Sequence, residues 1–106
     1  MFTRITTTHV SPYRLEEAIR IAQDTLSSAS LQKGYKGHLM LADRGTGKVL
    51  TITFWQDESD RQVTDANSTY YKESISKLVP FLTAAPAVED FEVVLQSKIN
   101  KEISPA

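Results

Sequence analysis

The sequence predicts a single α+β domain in which two helices cover one face of a four-stranded antiparallel sheet. Four segments either alternate between apolar and polar residues or are rich in β-branched residues, as strands are. Two other segments repeat apolar residues at helical spacing. The 106 residues suffice to bury one hydrophobic core and are too few for two.

The first strand and the first helix are predicted from adjoining segments near the start of the chain. Residues 2–10 combine Ile5 and Val10 with a series of threonines, a composition that favours a pleated strand. Ser11 is placed to cap a helix whose first residue is Pro12, where a missing N–H costs nothing. The helix is expected to run to about residue 28. Its apolar stripe consists of Leu15, Ala18, Ile19, Ala22 and Leu26.

A β-hairpin is predicted in the middle of the chain. Residues 38–42 and 49–55 both alternate, and the segment 43–48 between them contains Gly45 and Gly47. Glycine provides the positive φ angles that tight turns require. Strand two is therefore expected to end at Asp43, and strand three near Trp55.

The second helical region is predicted to be broken, and a fourth strand follows it. Asp57 and Ser68 each suit a helix start, and Pro80 removes one N–H from the region that follows. Residues 88–96 alternate again and indicate strand four. We expect one domain over residues 1–97 and a polar tail over residues 98–106.

The resulting order β-α-β-β-α-β is that of ferredoxin-like domains, whose right-handed crossovers place both helices on one sheet face. Strand periodicity sorts the strand residues into two sets. The set expected to meet the helices as the core is Leu39, Leu41, Leu50, Ile52, Phe54, Phe91, Val93 and Leu95. The opposite set is His38, Met40, Ala42, Val49, Thr51, Thr53, Trp55 and Val94. That second face is too apolar for open water, so we expect a partner to cover it.

Composition argues against several classes of partner and site. The formal net charge is -1, so neither nucleic acid nor an anionic membrane is an expected partner. The chain has no cysteine, which excludes disulfides and thiolate metal sites and is compatible with the cytoplasm. The start of the chain lacks a signal-peptide pattern, so we expect a cytoplasmic protein. Carboxylates at Asp57, Glu58 and Asp60 are explained by a helix start, so no metal is predicted.

Four motifs in order along the chain resemble the antibiotic biosynthesis monooxygenase family. They are Gly34-Tyr35-Lys36-Gly37 before a strand, Asp43-Arg44-Gly45-Thr46-Gly47-Lys48 at the hairpin, Thr53-Phe54-Trp55-Gln56-Asp57-Glu58 closing strand three, and Tyr70-Tyr71 in the second helical region. The resemblance spans roughly residues 2–95. It implies that two ferredoxin-like protomers join through their sheet faces as a dimeric α+β barrel.

The resemblance also implies a function, and this chain departs from the family pattern at positions that bear on it. Some members are cofactor-independent oxygenases of aromatic polyketide quinol precursors, and others degrade haem. The haem-degrading members have a histidine ligand where this chain reads Thr64-Asp65-Ala66-Asn67, and the oxygenases have an asparagine where it has Thr51 and Thr53. Of the oxygenase pattern only Trp55 carries over. The function that the resemblance implies is a monooxygenase that needs no cofactor and acts on a small phenolic or quinol compound. The alternative is a non-catalytic dimer that binds a small ligand.

Six residues are the candidate site. Trp55 is expected to stack on an aromatic substrate, or else to anchor the sheet edge through its indole N–H. His38 is expected to accept a proton, or else to be a hydrogen-bonded interface histidine. Met40, Thr51, Thr53 and Tyr70 are expected to bind substrate. Tyr70 and its neighbour Tyr71 diverge by about 100° on a helix, so we expect only one of the two to line a pocket.

Overall fold

The computed structural model describes residues 1–65 and 67–97. Its strands are β1 (Phe2–His9), β2 (Tyr35–Asp43), β3 (Lys48–Trp55) and β4 (Ala87–Glu92). Its helices are α1 (Leu15–Ala29), α2 (Glu58–Val63) and α3 (Thr69–Ser76). Short 3₁₀ turns at Pro12–Arg14 and Val79–Phe81 precede α1 and follow α3. The predicted tail, residues 98–106, lies outside the described residues.

The predicted topology is confirmed. The sheet has the order β2-β3-β1-β4, and all three strand pairs are antiparallel. The crossover from β1 to β2 contains α1, and the crossover from β3 to β4 contains α2 and α3. The ferredoxin-like prediction therefore holds for the order of the elements and for their pairing.

Strand β4 is shorter than predicted. It pairs with β1 from Thr7↔Ala87 to Phe2↔Glu92, and the N–H of Val93 donates to the carbonyl oxygen of Met1 at 2.9 Å. Hydrophobic alternation alone continued the strand to residue 96, whereas a ladder needs a partner at each step.

The second helical region is broken as expected, and its caps differ from prediction. Helix α3 ends at Ser76, the residue whose carbonyl would meet the ring of Pro80 if the helix continued. The Ser68 side chain caps α3 by accepting a hydrogen bond from the N–H of Tyr71 at 3.0 Å. Ser11 and Asp57, the other predicted caps, make no capping side-chain hydrogen bond.

The sequence predicted correctly which residues share a sheet face, but it exchanged the two faces. The face expected to meet the helices points away from them, and the face expected to meet a partner packs on the helices. Met40 and Val49 pack against Leu15 and Ala18 of α1, so their set faces the helices. The predicted core set instead forms the face directed away from the helices, where Leu41 and Phe91 are each 48% exposed. A period of two sorts residues into faces, whereas the crossovers decide which face the helices cover.

We call the face directed away from the helices the open face. It carries Ile5, Leu39, Leu41, Leu50, Ile52, Phe54 and Phe91. Val93 and Leu95, which were predicted to join them, lie beyond the end of β4. Among the described residues, no helix combines the length and the apolar character that crossing a membrane requires.

Candidate functional site

Two rows of side chains cross the helix-facing side of the sheet and bring distant residues together. In one row Tyr35 of β2 pairs with Trp55 of β3, which pairs with Phe2 of β1. The next row runs from His38 through Thr53 and Arg4 to Asp90, and so spans all four strands. Residues directly opposite in antiparallel strands have Cβ atoms about 5 Å apart.

A cavity of about 80 Å³ lies between this face and the helices and is partly open to solvent. We call it the main cavity. Its lining is mainly apolar and consists of Arg4, Thr6, Thr8, Ala22, Thr25, Leu26, Thr51, Thr53, Trp55, Tyr70, Tyr71, Ser74, Ile75 and Leu78. An apolar cavity with a few convergent polar groups is the usual form of a small-molecule site. No three His, Asp or Glu side chains gather as metal ligands in residues 1–65 and 67–97.

Trp55 forms a rigid wall of the main cavity. Its side chain is almost fully buried, with 1% of the residue exposed. The indole N–H donates a hydrogen bond to Oγ1 of Thr53 at 3.0 Å. Tyr35 packs edge-on against the indole, with ring centroids 6.1 Å apart and an interplanar angle of 80°, within the range that aromatic pairs prefer. The indole N–H is thus engaged by a side chain, and the ring offers its surface to a ligand.

Arg4 is a buried cation in the lining and is held by four groups. Its Nε donates to Asp90 at 3.2 Å, and one terminal nitrogen donates to the carbonyl of Arg61 at 3.0 Å. The other terminal nitrogen donates to the carbonyl and the hydroxyl of Thr64, the latter at 2.8 Å. These bonds satisfy carbonyls at the C-terminal end of α2, where a cation is favoured. The guanidinium is therefore fixed in place beside the cavity.

Both Tyr70 and Tyr71 line the main cavity, so the expectation that only one could do so is wrong. The side chains diverge on α3, but each is long enough to reach the same space from a different direction. Burial raises the pKa of Tyr70 and is the largest influence on it. The Ser74 hydroxyl and Arg4 lower this pKa, and Tyr35 raises it. Burial also raises the pKa of Tyr71, and Arg4 lowers it. Both phenols are therefore neutral at neutral pH.

The floor of the main cavity is rich in threonine. Thr6 and Thr51 lie directly opposite each other on β1 and β3. Thr8 and Thr53 lie two residues further along β1 and β3, on the same face. Within the described residues, Thr6, Thr8 and Thr51 have no side-chain hydrogen bond, whereas the hydroxyl of Thr25 donates to the carbonyl of Ala22 at 2.8 Å. Three hydroxyls of the floor are thus available to a ligand.

The six predicted site residues fall in three places. Thr51, Thr53, Trp55 and Tyr70 line the main cavity. Met40 lines a second, adjoining cavity, and His38 lines neither. His38 is exposed on the edge strand β2, where its Nδ1 hydrogen bonds to the hydroxyl of Tyr35. It is linked to the site through Tyr35, which contacts Trp55.

The second cavity, of about 10 Å³, adjoins the main cavity on the side of β2. We call it the side chamber. It shares Thr8, Ala22, Thr51 and Leu78 with the main cavity. The rest of its wall is Val10, Ala18, Ile19, Met40 and Val49.

Sequence reasoning missed Arg4, Tyr71 and the threonines of β1. The period of two does place Arg4, Thr6 and Thr8 on one face of the first strand. The residues opposite them depend on the register between β1 and β3, which connect only through α1 and β2. The one signal in the sequence was an arginine within the segment predicted as strand one, because an arginine that is buried in a strand needs partners.

Solved structures with the same fold exist in several organisms. A candidate antibiotic biosynthesis monooxygenase from Bordetella bronchiseptica aligns with a TM-score of 0.74 at 15% identity, over 89% of this chain and 97% of that one. Another from Deinococcus radiodurans aligns with a TM-score of 0.73 at 14% identity, over 94% and 99%. A protein of unknown function from Nitrosomonas europaea has a TM-score of 0.73 at 15% identity, over 93% and 94%.

These likenesses show that the chain has the fold of solved antibiotic biosynthesis monooxygenase structures. The predicted resemblance is therefore confirmed for the fold. No family model matches the sequence, and no curated protein is significantly similar to it. One fold supports many activities, so the function must be argued from the cavity.

Proposed function

We propose that the main cavity binds a single-ring phenol or quinol and that the protein oxidises it with dioxygen and no cofactor. The observation that carries the proposal is an apolar cavity walled by Trp55 with a fixed cation, Arg4, in its lining. At about 80 Å³, the cavity is smaller than the ~150 Å³ cavity that holds benzene. One ring therefore fits with part of it in the open mouth, and larger ring systems project into solvent.

The site supports the anionic form of such a ligand. A phenol reacts with dioxygen far more readily as its phenolate. Arg4, which is ion-paired with Asp90, is the one charged residue among the described residues of the lining, and its guanidinium favours that anion. Hydroxyls of Thr6, Thr8 and Thr51 supply hydrogen bonds that orient the ring, while Trp55 limits its tilt. Orientation and electrostatics are then the protein's contributions to the rate.

The chemistry balances without a cofactor. The phenolate transfers one electron to dioxygen, and the resulting radical and superoxide combine to form a C–O bond at a ring carbon. The peroxide anion takes up the proton that was released when the phenol ionised, and the resulting hydroperoxide loses water, so that a ring C–H becomes C=O. One oxygen atom of dioxygen enters the product and the other leaves as water. A quinol is thereby converted to a hydroxyquinone.

We propose His38 as the proton acceptor of the oxidation. Its position outside the linings of both cavities favours the alternative, non-catalytic function. The described residues that line the main cavity include no histidine, aspartate or glutamate. His38 is linked to the site only through the hydroxyl of Tyr35. This favours a second candidate, a non-catalytic protein that binds a small aromatic ligand in the same cavity.

Oxygen uptake with a panel of hydroquinones and anthrone tests the proposal, and calorimetric titration under argon separates the two candidates. We expect uptake above the uncatalysed rate, reduced at least tenfold by Trp55→Phe and unchanged by Tyr13→Phe, because Tyr13 is 98% exposed. Binding without uptake would establish the non-catalytic alternative. Neither binding nor uptake would reject both.

The second part of the proposal is a homodimer formed through the open face. No described element packs on this face, although seven large apolar residues lie on it. Four strands about 4.8 Å apart and about eight residues long cover roughly 500 Å². Two such faces together bury on the order of 1,000 Å², the lower size of a specific interface. A second copy offers the same apolar surface, as two-fold symmetry requires.

A further inference from the structure

The side chamber has the size and chemistry of a pocket for a small alkyl group. Its volume of about 10 Å³ is close to that of one water-sized sphere. The hydroxyls of Thr8 and Thr51 offer an enclosed water the minimum of two polar partners. Val10, Ile19, Met40 and Val49 present apolar groups to the rest of the space. Because most of its wall is apolar, the chamber suits a methyl group.

The side chamber lies beside the part of the main cavity where the ligand ring would sit. Thr8 and Thr51 line both spaces, so the threonine floor continues up to the boundary. A ring that is bound on this floor therefore lies next to the chamber, and the chamber can receive a substituent of that ring.

We propose that the ligand is a single hydroxylated aromatic ring with one short alkyl substituent, and that the side chamber selects this substituent. The proposal rests on the proposed function for the identity of the ring. It adds a specificity determinant, Val49, which is buried on β3 and forms part of the chamber wall. Val49 also lies outside the lining of the main cavity, so changes there affect the substituent and not the ring.

Val49 and Val88 provide a matched pair of substitutions. Val49→Ile adds one methylene to the chamber wall and fills the space. Val88 lies on the same helix-facing side of the sheet, opposite Thr6 on β4, and contributes to neither cavity. Val88→Ile is therefore the control. Val49→Ala enlarges the chamber by two methyl groups.

The experiment measures binding of hydroquinone, methylhydroquinone and ethylhydroquinone by calorimetric titration under argon. The natural protein should bind methylhydroquinone about fourfold more tightly than hydroquinone, the value of one buried methylene. Val49→Ile should abolish that preference and leave hydroquinone binding unchanged. Val49→Ala should shift the preference to ethylhydroquinone, and Val88→Ile should behave as the natural protein does. Circular dichroism and thermal melting establish that each variant is folded.

The outcomes separate this proposal from the proposed function. If the natural protein binds the three compounds equally and still consumes oxygen, the side chamber has no selective role and the proposed function stands. If Val49→Ile weakens all three ligands to the same extent, the residue acts on the whole site and the inference is wrong. If none of the three binds, both proposals are rejected.

Discussion

The indole N–H of Trp55 donates a hydrogen bond to Oγ1 of Thr53, two residues earlier on the same face of β3. Both residues are buried, so the bond is protected from water. It fixes the aromatic wall of the main cavity by means of a neighbour on the same strand. Because Trp55 is the only tryptophan in the chain, its fluorescence reports directly on this bond and on the cavity.

Replacing Thr53 with valine should destabilise the protein by about 1–3 kcal/mol, because the buried indole N–H loses its acceptor while the shape is kept. Thr53→Ser keeps the acceptor and should cost less than about 1 kcal/mol. Urea unfolding followed by Trp55 fluorescence measures both values. Equal stability of Thr53→Val and the natural protein would show that the hydrogen bond contributes nothing.

Arg4→Met should cost about 3 kcal/mol of unfolding free energy, because the carbonyls of Arg61 and Thr64 lose their buried donors. The control is Arg44→Met. Arg44 forms an exposed ion pair with Glu16, and such pairs contribute less than about 1 kcal/mol. Urea unfolding of both variants gives the comparison. Similar costs at the two positions would contradict a structural role for Arg4.

Stability should fall as the pH rises above about 10, because burial raises the pKa values of Tyr70 and Tyr71. A raised pKa in the folded state means that the unfolded chain releases these protons first, so the unfolded state gains stability at high pH. Tyr70→Phe should make the decline less steep between pH 9 and 11. Urea unfolding across this range tests it, with Tyr13→Phe as the surface control. If stability declines as steeply in Tyr70→Phe as in the natural protein, ionisation of Tyr70 does not contribute to the decline and the prediction is wrong.

Leu41→Glu should convert the proposed dimer to monomers at micromolar concentration, because a charge on the open face cannot be buried against its symmetry mate. Leu31→Glu is the control, since Leu31 is 84% exposed and lies after α1, away from the sheet. Sedimentation velocity gives the molecular mass of each. A natural protein that sediments as a monomer would overturn the proposed dimer.

Most of the fold was predictable because it depends on local patterns. Apolar spacing in α1, the glycines of the hairpin and the break at Pro80 each act within a few residues. The assignment of the two faces was not predictable in this way. Leu41 and Phe91 were expected in the core because they are large and apolar, yet the helices cover the face with Met40 and Val49.

The candidate site was predicted only where it depends on one strand. Thr51, Thr53 and Trp55 share a face by strand periodicity, and the structure places all three in one cavity. Arg4 joins them through the register between β1 and β3, and Tyr71 joins them through the position of α3. Both depend on how elements distant in sequence pack together.

The pairing of Tyr35 with His38 shows where the two kinds of information divide. Residues three apart in a regular strand point to opposite faces, so the sequence alone separates them. A bulge between Tyr35 and Gly37 shifts the register, and the two side chains meet on one face. The sequence determined the elements and their order, because propensity and periodicity are local. The tertiary structure decided the faces, the register and the cavity, because these depend on contacts between elements far apart in the chain.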